Sequence, residues 1–174
     1  MAEKDGIVDE GALAGALGAD VACVVVQSPN YFGLVEDVAA ITETCHAAGV
    51  KVVMACNPMA LALLQTPAEL GVDIAVGEGQ PLGMPLSFGG PYLGFIACKK
   101  EMMRRLPGRI AGQTVDADGK RCYVLTLQAR EQHIRREKAL SSVCSNQALC
   151  ALTATVYLAA MGPNGLREAA EQCY

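Results

Sequence analysis

Fifteen consecutive residues hold eight glycines or prolines: Gly77-Glu78-Gly79-Gln80-Pro81-Leu82-Gly83-Met84-Pro85-Leu86-Ser87-Phe88-Gly89-Gly90-Pro91. Such a stretch has little propensity for helix or sheet, so neighbouring elements must hold its backbone. It follows a short apolar, strand-like run, and loops at the carboxyl ends of parallel strands are where α/β proteins bind ligands. The spacing of Gly77, Gly79 and Gly83 comes close to a dinucleotide fingerprint. That motif must open a helix at once, however, and Pro81 and Pro85 break one. An irregular connection that merely packs on a sheet is the plain alternative.

A second chemical segment runs from Gln128 to Lys138 and on to Asn146. On a single helix Arg130, His133 and Glu137 would share one face, a basic surface able to hold an anion or a partner's carboxylates. A solvated face with i,i+4 pairs is the alternative. Ser142, Ser145 and Asn146 stand where a helix is expected to start, so their hydroxyls and backbone N–H groups could meet a phosphate or simply cap the helix. His133 is the better candidate base of the two histidines, although the sequence places no carboxylate or nucleophile beside it. His46 reads as a surface or packed residue. The sequence contains no Ser-His-Asp pattern, no metal cluster and no Walker loop. None of its eight cysteines forms a Cys-x-x-Cys pair, which argues against zinc and thioredoxin-like chemistry and for buried free thiols in a reducing compartment.

These segments need elements to position them. Residues 21–27 are a near-continuous β-branched run, the pattern of a strand buried on both faces of a parallel sheet. Residues 35–48 place Val38, Ile41, Thr42 and Cys45 at helical spacing and close at Gly49. Residues 50–55 read as a second strand, which completes a βαβ unit with a right-handed crossover. A short helix at 59–64 and strands at 73–76 and 92–97 continue the alternation. Beyond them the pattern predicts a short helix at 99–106 that ends at Pro107-Gly108. Strands at 109–114 and 122–126 then flank a turn at Asp116-Ala117-Asp118-Gly119. A final amphipathic helix, capped by Ser145 or Asn146, carries Leu149, Leu152, Val156 and Leu158 and stops at Gly162-Pro163. The acidic start, 9–17, reads as one more helix. The expected fold class is α/β, a mostly parallel sheet with flanking helices forming a single domain over 1–174.

Composition supports a packed body. Of 174 residues, 52% are hydrophobic and 18% charged, and the mean hydropathy is +0.27. That excludes a disordered tail or a collagen-like repeat. No uninterrupted apolar run reaches the ~18 to 20 residues of a membrane span, and the first residues do not form a signal peptide. A cytoplasmic chain is expected. The net charge of −4 hides a segregation, because eleven of the fourteen basic residues lie between Lys99 and Lys138 against five acidic ones. That segment carries +6 and leaves −10 for the remainder. It could meet nucleic acid, a phosphorylated ligand or an acidic protein surface. A stand-alone anion- or nucleic-acid-binding module built on 99–138 is therefore the alternative functional reading.

Taken together, several motifs are specific. They are Ser28-Pro29-Asn30-Tyr31-Phe32-Gly33, the Gly77–Gly83 loop with Ser87-Phe88-Gly89-Gly90-Pro91, and Pro107-Gly108-Arg109-Ile110. Gln113-Thr114-Val115-Asp116-Ala117 and Arg130-Glu131-Gln132-His133-Ile134-Arg135-Arg136 complete the set. In this order they closely resemble the subunit 1 (alpha subunit) family of the two-subunit glycine dehydrogenase (decarboxylating), the P-protein of the glycine cleavage system. The resemblance runs from about residue 21 to 173. It implies part of the large domain of the fold-type-I pyridoxal-phosphate (PLP) transferases, the aspartate-aminotransferase-like fold. The family's N-terminal region and C-terminal small domain are expected to lie outside 1–174.

The resemblance also implies an activity, cofactor and partners. The complete enzyme attaches glycine's amine to PLP, loses the carboxylate as carbon dioxide and passes the aminomethyl group to the lipoyl arm of H-protein, with PLP as electron sink. The implied partners are the catalytic subunit 2 and lipoylated H-protein, with no nucleic acid and no membrane. One departure from the catalytic pattern stands out. In the companion subunit a His-Lys-Thr run precedes the Gly-Gly-Pro, and its lysine forms the Schiff base. Counting back from Gly89-Gly90-Pro91, that position is Gln80, whose amide nitrogen cannot form an imine. The acid partner of the pyridinium nitrogen is expected just after the second strand, where Asn57 stands. The chain is therefore expected to carry no catalytic residue and no covalent PLP. The cofactor would sit on the partner subunit, with Arg109, Arg130, His133, Ser142, Ser145 and Asn146 shaping that site or the tunnel to it.

Overall fold

The structure, a computed structural model, describes residues 2–90, 92–108, 110–139 and 147–173, apart from the side chain of Arg130. They fall into two compact units, one made of 1–99 with 147–174 and the other of 100–146.

The first unit opens with a small antiparallel pair, β1 (Glu3–Lys4) and β2 (Ile7–Val8). Helix α1 (Glu10–Ala16) follows, capped by the Asp9 carboxylate, which accepts from the Ala12 N–H at 3.0 Å. Strand β3 (Cys23–Ser28), helix α2 (Val38–Ala47) and strand β4 (Lys51–Cys56) then form the expected βαβ unit. Strands β5 (Ile74–Glu78) and β6 (Gly94–Cys98) complete a sheet of order β3-β4-β5-β6. The first three strands are parallel and β6 is antiparallel to β5.

Helix α2 buries Val38, Ile41, Thr42 and Cys45, the i, i+3, i+4, i+7 stripe of an amphipathic helix. These meet Val24, Val26, Val52 and Met54 from one face of the sheet, and Leu13 of α1 joins the same cluster. Each Val, Ile, Leu or Met side chain among them contributes about 1.5–3 kcal/mol when fully buried. Burial on both faces does not hold for β3. Its residues alternate strictly, with Val24, Val26 and Ser28 buried and Cys23, Val25 and Gln27 exposed. Val25 is 58% exposed, because nothing in the described chain lies over it. Residues 59–64 make only a 3₁₀ turn at Ala60–Ala62.

The second unit starts with a 3₁₀ turn at Lys100–Arg105 rather than an α-helix, followed by β7 (Ile110–Val115) and β8 (Arg121–Thr126). The hairpin turn is the predicted one: Asp116 Oδ1 accepts from the N–H groups of Asp118 and Lys120, both at 2.9 Å, and Gly119 takes a positive φ of 77°. The single helix expected over 128–138 does not form. A 3₁₀ turn at Gln128–Arg130, the four-residue helix α3 (Gln132–Arg135) and another 3₁₀ turn at Arg136–Lys138 replace it. Glu131 is extended and Arg136 sits at φ 53°, so the i→i−4 ladder is interrupted twice and Arg130, His133 and Glu137 share no helix face.

Helix α4 (Ala148–Cys173) returns to the first unit. The expected stop at Gly162-Pro163 is instead a kink. Gly162 leaves helical geometry at φ 60°, ψ −176°, and Pro163 starts a second arm, where its missing N–H costs nothing. By length and hydropathy α4 could cross a membrane, but the break leaves neither arm the ~20 residues a span needs.

Candidate functional site at the carboxyl end of the sheet

Three loops leave the carboxyl ends of β3, β4 and β5 side by side. Ser28, Cys56 and Gly77 are in register across the strands. Ser28-Pro29-Asn30, Asn57 and Glu78-Gly79-Gln80 therefore emerge at one edge, the place where parallel sheets present ligands.

The loop after β3 is fixed by polar contacts. The Asn30 amide donates to the Gly6 carbonyl at 2.7 Å and to Glu36 Oε1 at 2.8 Å, and its oxygen accepts from the N–H groups of Phe32 and Leu34. Glu36 is buried and accepts from the Val8 N–H at 2.9 Å, while Ser28 Oγ accepts from the Glu36 N–H. The network leaves Tyr31 and Phe32 exposed, packed edge to face with ring centroids 5.5 Å apart. Beside this loop a cleft of about 540 Å³ is lined by Pro29, Gly33, Val35, Met59 and Leu63, with Ala170 and Cys173 of α4.

After β4, Asn57 is exposed and its side-chain oxygen accepts from the Met59 N–H at 2.9 Å. After β5, close packing requires glycine. A Cβ on Gly77 would lie 2.3 Å from the Cys56 carbonyl and 2.5 Å from the Phe95 ring. The glycine-rich loop is closed at its base by Glu78, which accepts from the N–H groups of Gln80 at 3.0 Å and Leu93 at 2.6 Å. Gly79 N–H in turn donates to the Leu93 carbonyl. The half-buried Gln80 spans the following turn, its amide nitrogen donating to the Met84 carbonyl at 2.7 Å. No helix opens here, so the dinucleotide reading is excluded by the backbone as well as by the prolines.

The site-shaping residues expected in the second unit are only partly visible. His133 is exposed on α3. The side chain of Arg130 and all of Arg109, Ser142, Ser145 and Asn146 lie outside the described residues. So does Cys144. Of the seven described cysteines Cys45, Cys56 and Cys150 are buried, while Cys23 and Cys173 are exposed, so thiol burial holds for only part of the set. Burial pushes the Cys45 and Cys56 thiols up.

One charged constellation escaped the sequence reading. At the opposite end of the sheet, just before β5, the fully buried Asp73 carboxylate accepts from His46 Nε2 at 2.7 Å, Val52 N–H at 2.9 Å, Lys51 Nζ at 3.1 Å and Lys99 Nζ at 3.3 Å. A carboxylate only accepts, so Nε2 carries the proton. Burial raises the Asp73 pKa, but the hydrogen bonds from His46, Val52, Lys51 and Lys99 outweigh it and hold the carboxyl below the usual range. His46 is thus a hydrogen-bond partner that joins α2 to the residue before β5. A charged residue between Val72 and Ile74 in an apolar run was the available signal.

With this geometry in hand, comparison with known proteins identifies the architecture. The chain matches the glycine cleavage system P-protein family over residues 3–174. It is 61% identical over 170 residues to the probable glycine dehydrogenase (decarboxylating) subunit 1 of Moorella thermoacetica, covering 98% of this chain and 38% of that one. The corresponding protein of Desulfitobacterium hafniense is 59% identical over 167 residues, covering 96% and 37%. The chain therefore spans well under half the length of these curated relatives. Among solved structures it is similar to an inhibitor-bound glycine decarboxylase (P-protein), with TM-score 0.83 and 51% identity over 87% of this chain and 35% of that one. Mouse CSAD in apo form shares the fold at TM-score 0.59 and 17% identity, over 96% of this chain and 34% of that one. The α/β, mostly parallel sheet is thus that of the fold-type-I PLP transferases, and the chain belongs to the glycine cleavage system P-protein family.

Proposed function

We propose that this chain is part of subunit 1 of a glycine dehydrogenase (decarboxylating) and serves as the non-catalytic half of a two-subunit enzyme of the glycine cleavage system. The observation that carries the reading is Gln80. At the position that corresponds to the Schiff-base lysine, its amide nitrogen is delocalised into a carbonyl and is already committed to the Met84 carbonyl. An amide so placed is a loop brace and not a nucleophile. Asn57, at the pyridinium-partner position, offers a neutral oxygen that is bonded to the Met59 N–H. These two residues do not fit covalently held PLP. The cofactor, which supplies an electron sink for decarboxylation, is assigned to the catalytic subunit 2, and no chemical step is placed on this chain.

What remains for this chain is positioning. The braced loop after β5 would pack against the partner's PLP site, and Arg109, Arg130, His133, Ser142, Ser145 and Asn146 would shape that site or the tunnel to it. Lipoylated H-protein is the acceptor of the aminomethyl group, and the assembly is cytoplasmic, without nucleic acid or membrane.

The test mixes the full-length subunits and follows glycine–bicarbonate exchange. Exchange should need both subunits; subunit 2 that is equally active alone overturns the proposal. Borohydride reduction of the assembled enzyme should leave the pyridoxyl group on subunit 2. A stable adduct on Lys51 or Lys138 of this chain would refute the assignment of Gln80.

A further inference from the structure

Three carboxylates are buried among the described residues, those of Glu36, Asp73 and Glu131. The first two are satisfied: Glu36 accepts from the Val8 N–H and the Asn30 amide, and Asp73 accepts from four donors. Glu131 breaks the pattern. It is 7% exposed, and its covered Oε1 has no hydrogen-bond partner among the described residues. Local structure does not account for this. The Glu131 backbone is held on both sides, its N–H donating to the Gln128 carbonyl at 2.9 Å and its carbonyl accepting from the N–H groups of Ile134 at 3.1 Å and Arg135 at 2.8 Å. It stands at the N-cap of α3, where a side-chain oxygen ordinarily accepts from the first free N–H groups of a helix, yet its side chain makes no capping bond. The basic neighbours along the chain, His133, Arg135, Arg136 and Lys138, are exposed, and none of them bonds Oε1.

We infer that Glu131 is the receiving half of a buried ion pair, completed in the full-length protein by a guanidinium or ammonium group from outside the described residues. Taking a carboxylate out of water is costly unless a cation and hydrogen-bond donors replace the water, and the other two buried carboxylates obey that rule. A neutral donor would satisfy Oε1 but leave the charge unbalanced, whereas a cationic donor does both. The chain covers 38% of the length of its Moorella relative, so the remainder of subunit 1 is one source of the cation. Subunit 2 is the other, and that source alone rests on the two-subunit reading above.

The experiment compares full-length subunit 1 as wild type, Glu131→Gln and Glu131→Met, first for its unfolding equilibrium alone and then for its Kd with subunit 2. Both substitutions remove the charge at nearly constant volume. If subunit 1 supplies the cation, both should lower its folding equilibrium constant by about 100-fold. If subunit 2 supplies it, both should fold at least as well as wild type, and Kd should rise by about 100-fold instead. Variants that fold at least as well as wild type and also bind subunit 2 as tightly overturn the inference. So does a Gln variant that matches wild type in both arms beside a Met variant that loses in one, because a neutral donor then suffices. Wild-type subunit 1 that does not bind subunit 2 overturns the two-subunit reading, and the folding arm alone then decides the ion pair.

Discussion

Glu78 Oε1 accepts a hydrogen bond from the backbone N–H of Leu93 at 2.6 Å, across a separation of fifteen residues. The residue that ends β5 thereby clamps the far end of the loop it begins, and the same oxygen holds the Gln80 N–H. Glu78→Ala should free both amides. The expected cost is about 1 kcal/mol, read as roughly fivefold faster hydrogen exchange at Leu93 and as faster proteolytic nicking within 79–93. Unchanged exchange at Leu93 would show that the Gly79–Leu93 backbone bond suffices alone.

Asp73 ties three segments together, so its loss should be felt globally. Asp73→Asn should destabilise the chain by about 1–3 kcal/mol, since the cluster loses its negative charge and one of the two oxygens that accept from His46, Val52, Lys51 and Lys99 is replaced by a donor. The pH dependence has a definite sign. The folded-state pKa lies below the unfolded value, which is about 3.9, so the stabilisation is complete above the unfolded pKa. It is lost as pH falls through the folded one. Denaturant titrations of both proteins should therefore show a constant gap above about pH 5 that narrows below about pH 4. A gap independent of pH would remove the charge from the explanation.

Gly77 should tolerate no side chain. The Cβ of Gly77→Ala would press on the Cys56 carbonyl and the Phe95 ring, and neither β4 nor β6 can yield without breaking register with β5. Overpacking of this kind costs about 1–3 kcal/mol or more. Gly33→Ala, at a glycine with open space but a positive φ of 79°, should cost only about 1 kcal/mol from backbone strain. Chemical denaturation of the pair separates contact from conformation.

The cysteines should react in two classes under native conditions. Cys23 and Cys173 are exposed, whereas Cys45 and Cys56 are buried with raised thiol pKa values. A thiol reagent at neutral pH should label the first pair within the mixing phase and the second only on unfolding. Mass mapping of the labelled peptides checks the order.

Local periodicity was enough to read much of this protein. The stripe Val38, Ile41, Thr42 and Cys45, the β-branched runs that became β3 and β4, and the Asp116–Gly119 turn were all legible, because a 3.6 or 2.0 repeat and turn chemistry are properties of neighbours in the chain. The Gln80 amide was equally legible as a residue, whereas its place at a Schiff-base position is what the family resemblance implies. Tertiary structure decided the rest. Glu131 and Arg136 broke a segment whose spacing favoured one helix. Only one face of β3 was covered, and Asp73, His46, Lys51 and Lys99 met from positions up to 53 residues apart. Those outcomes depend on which surfaces meet and which carboxylate lacks water, and such quantities exist only once the chain has folded back on itself.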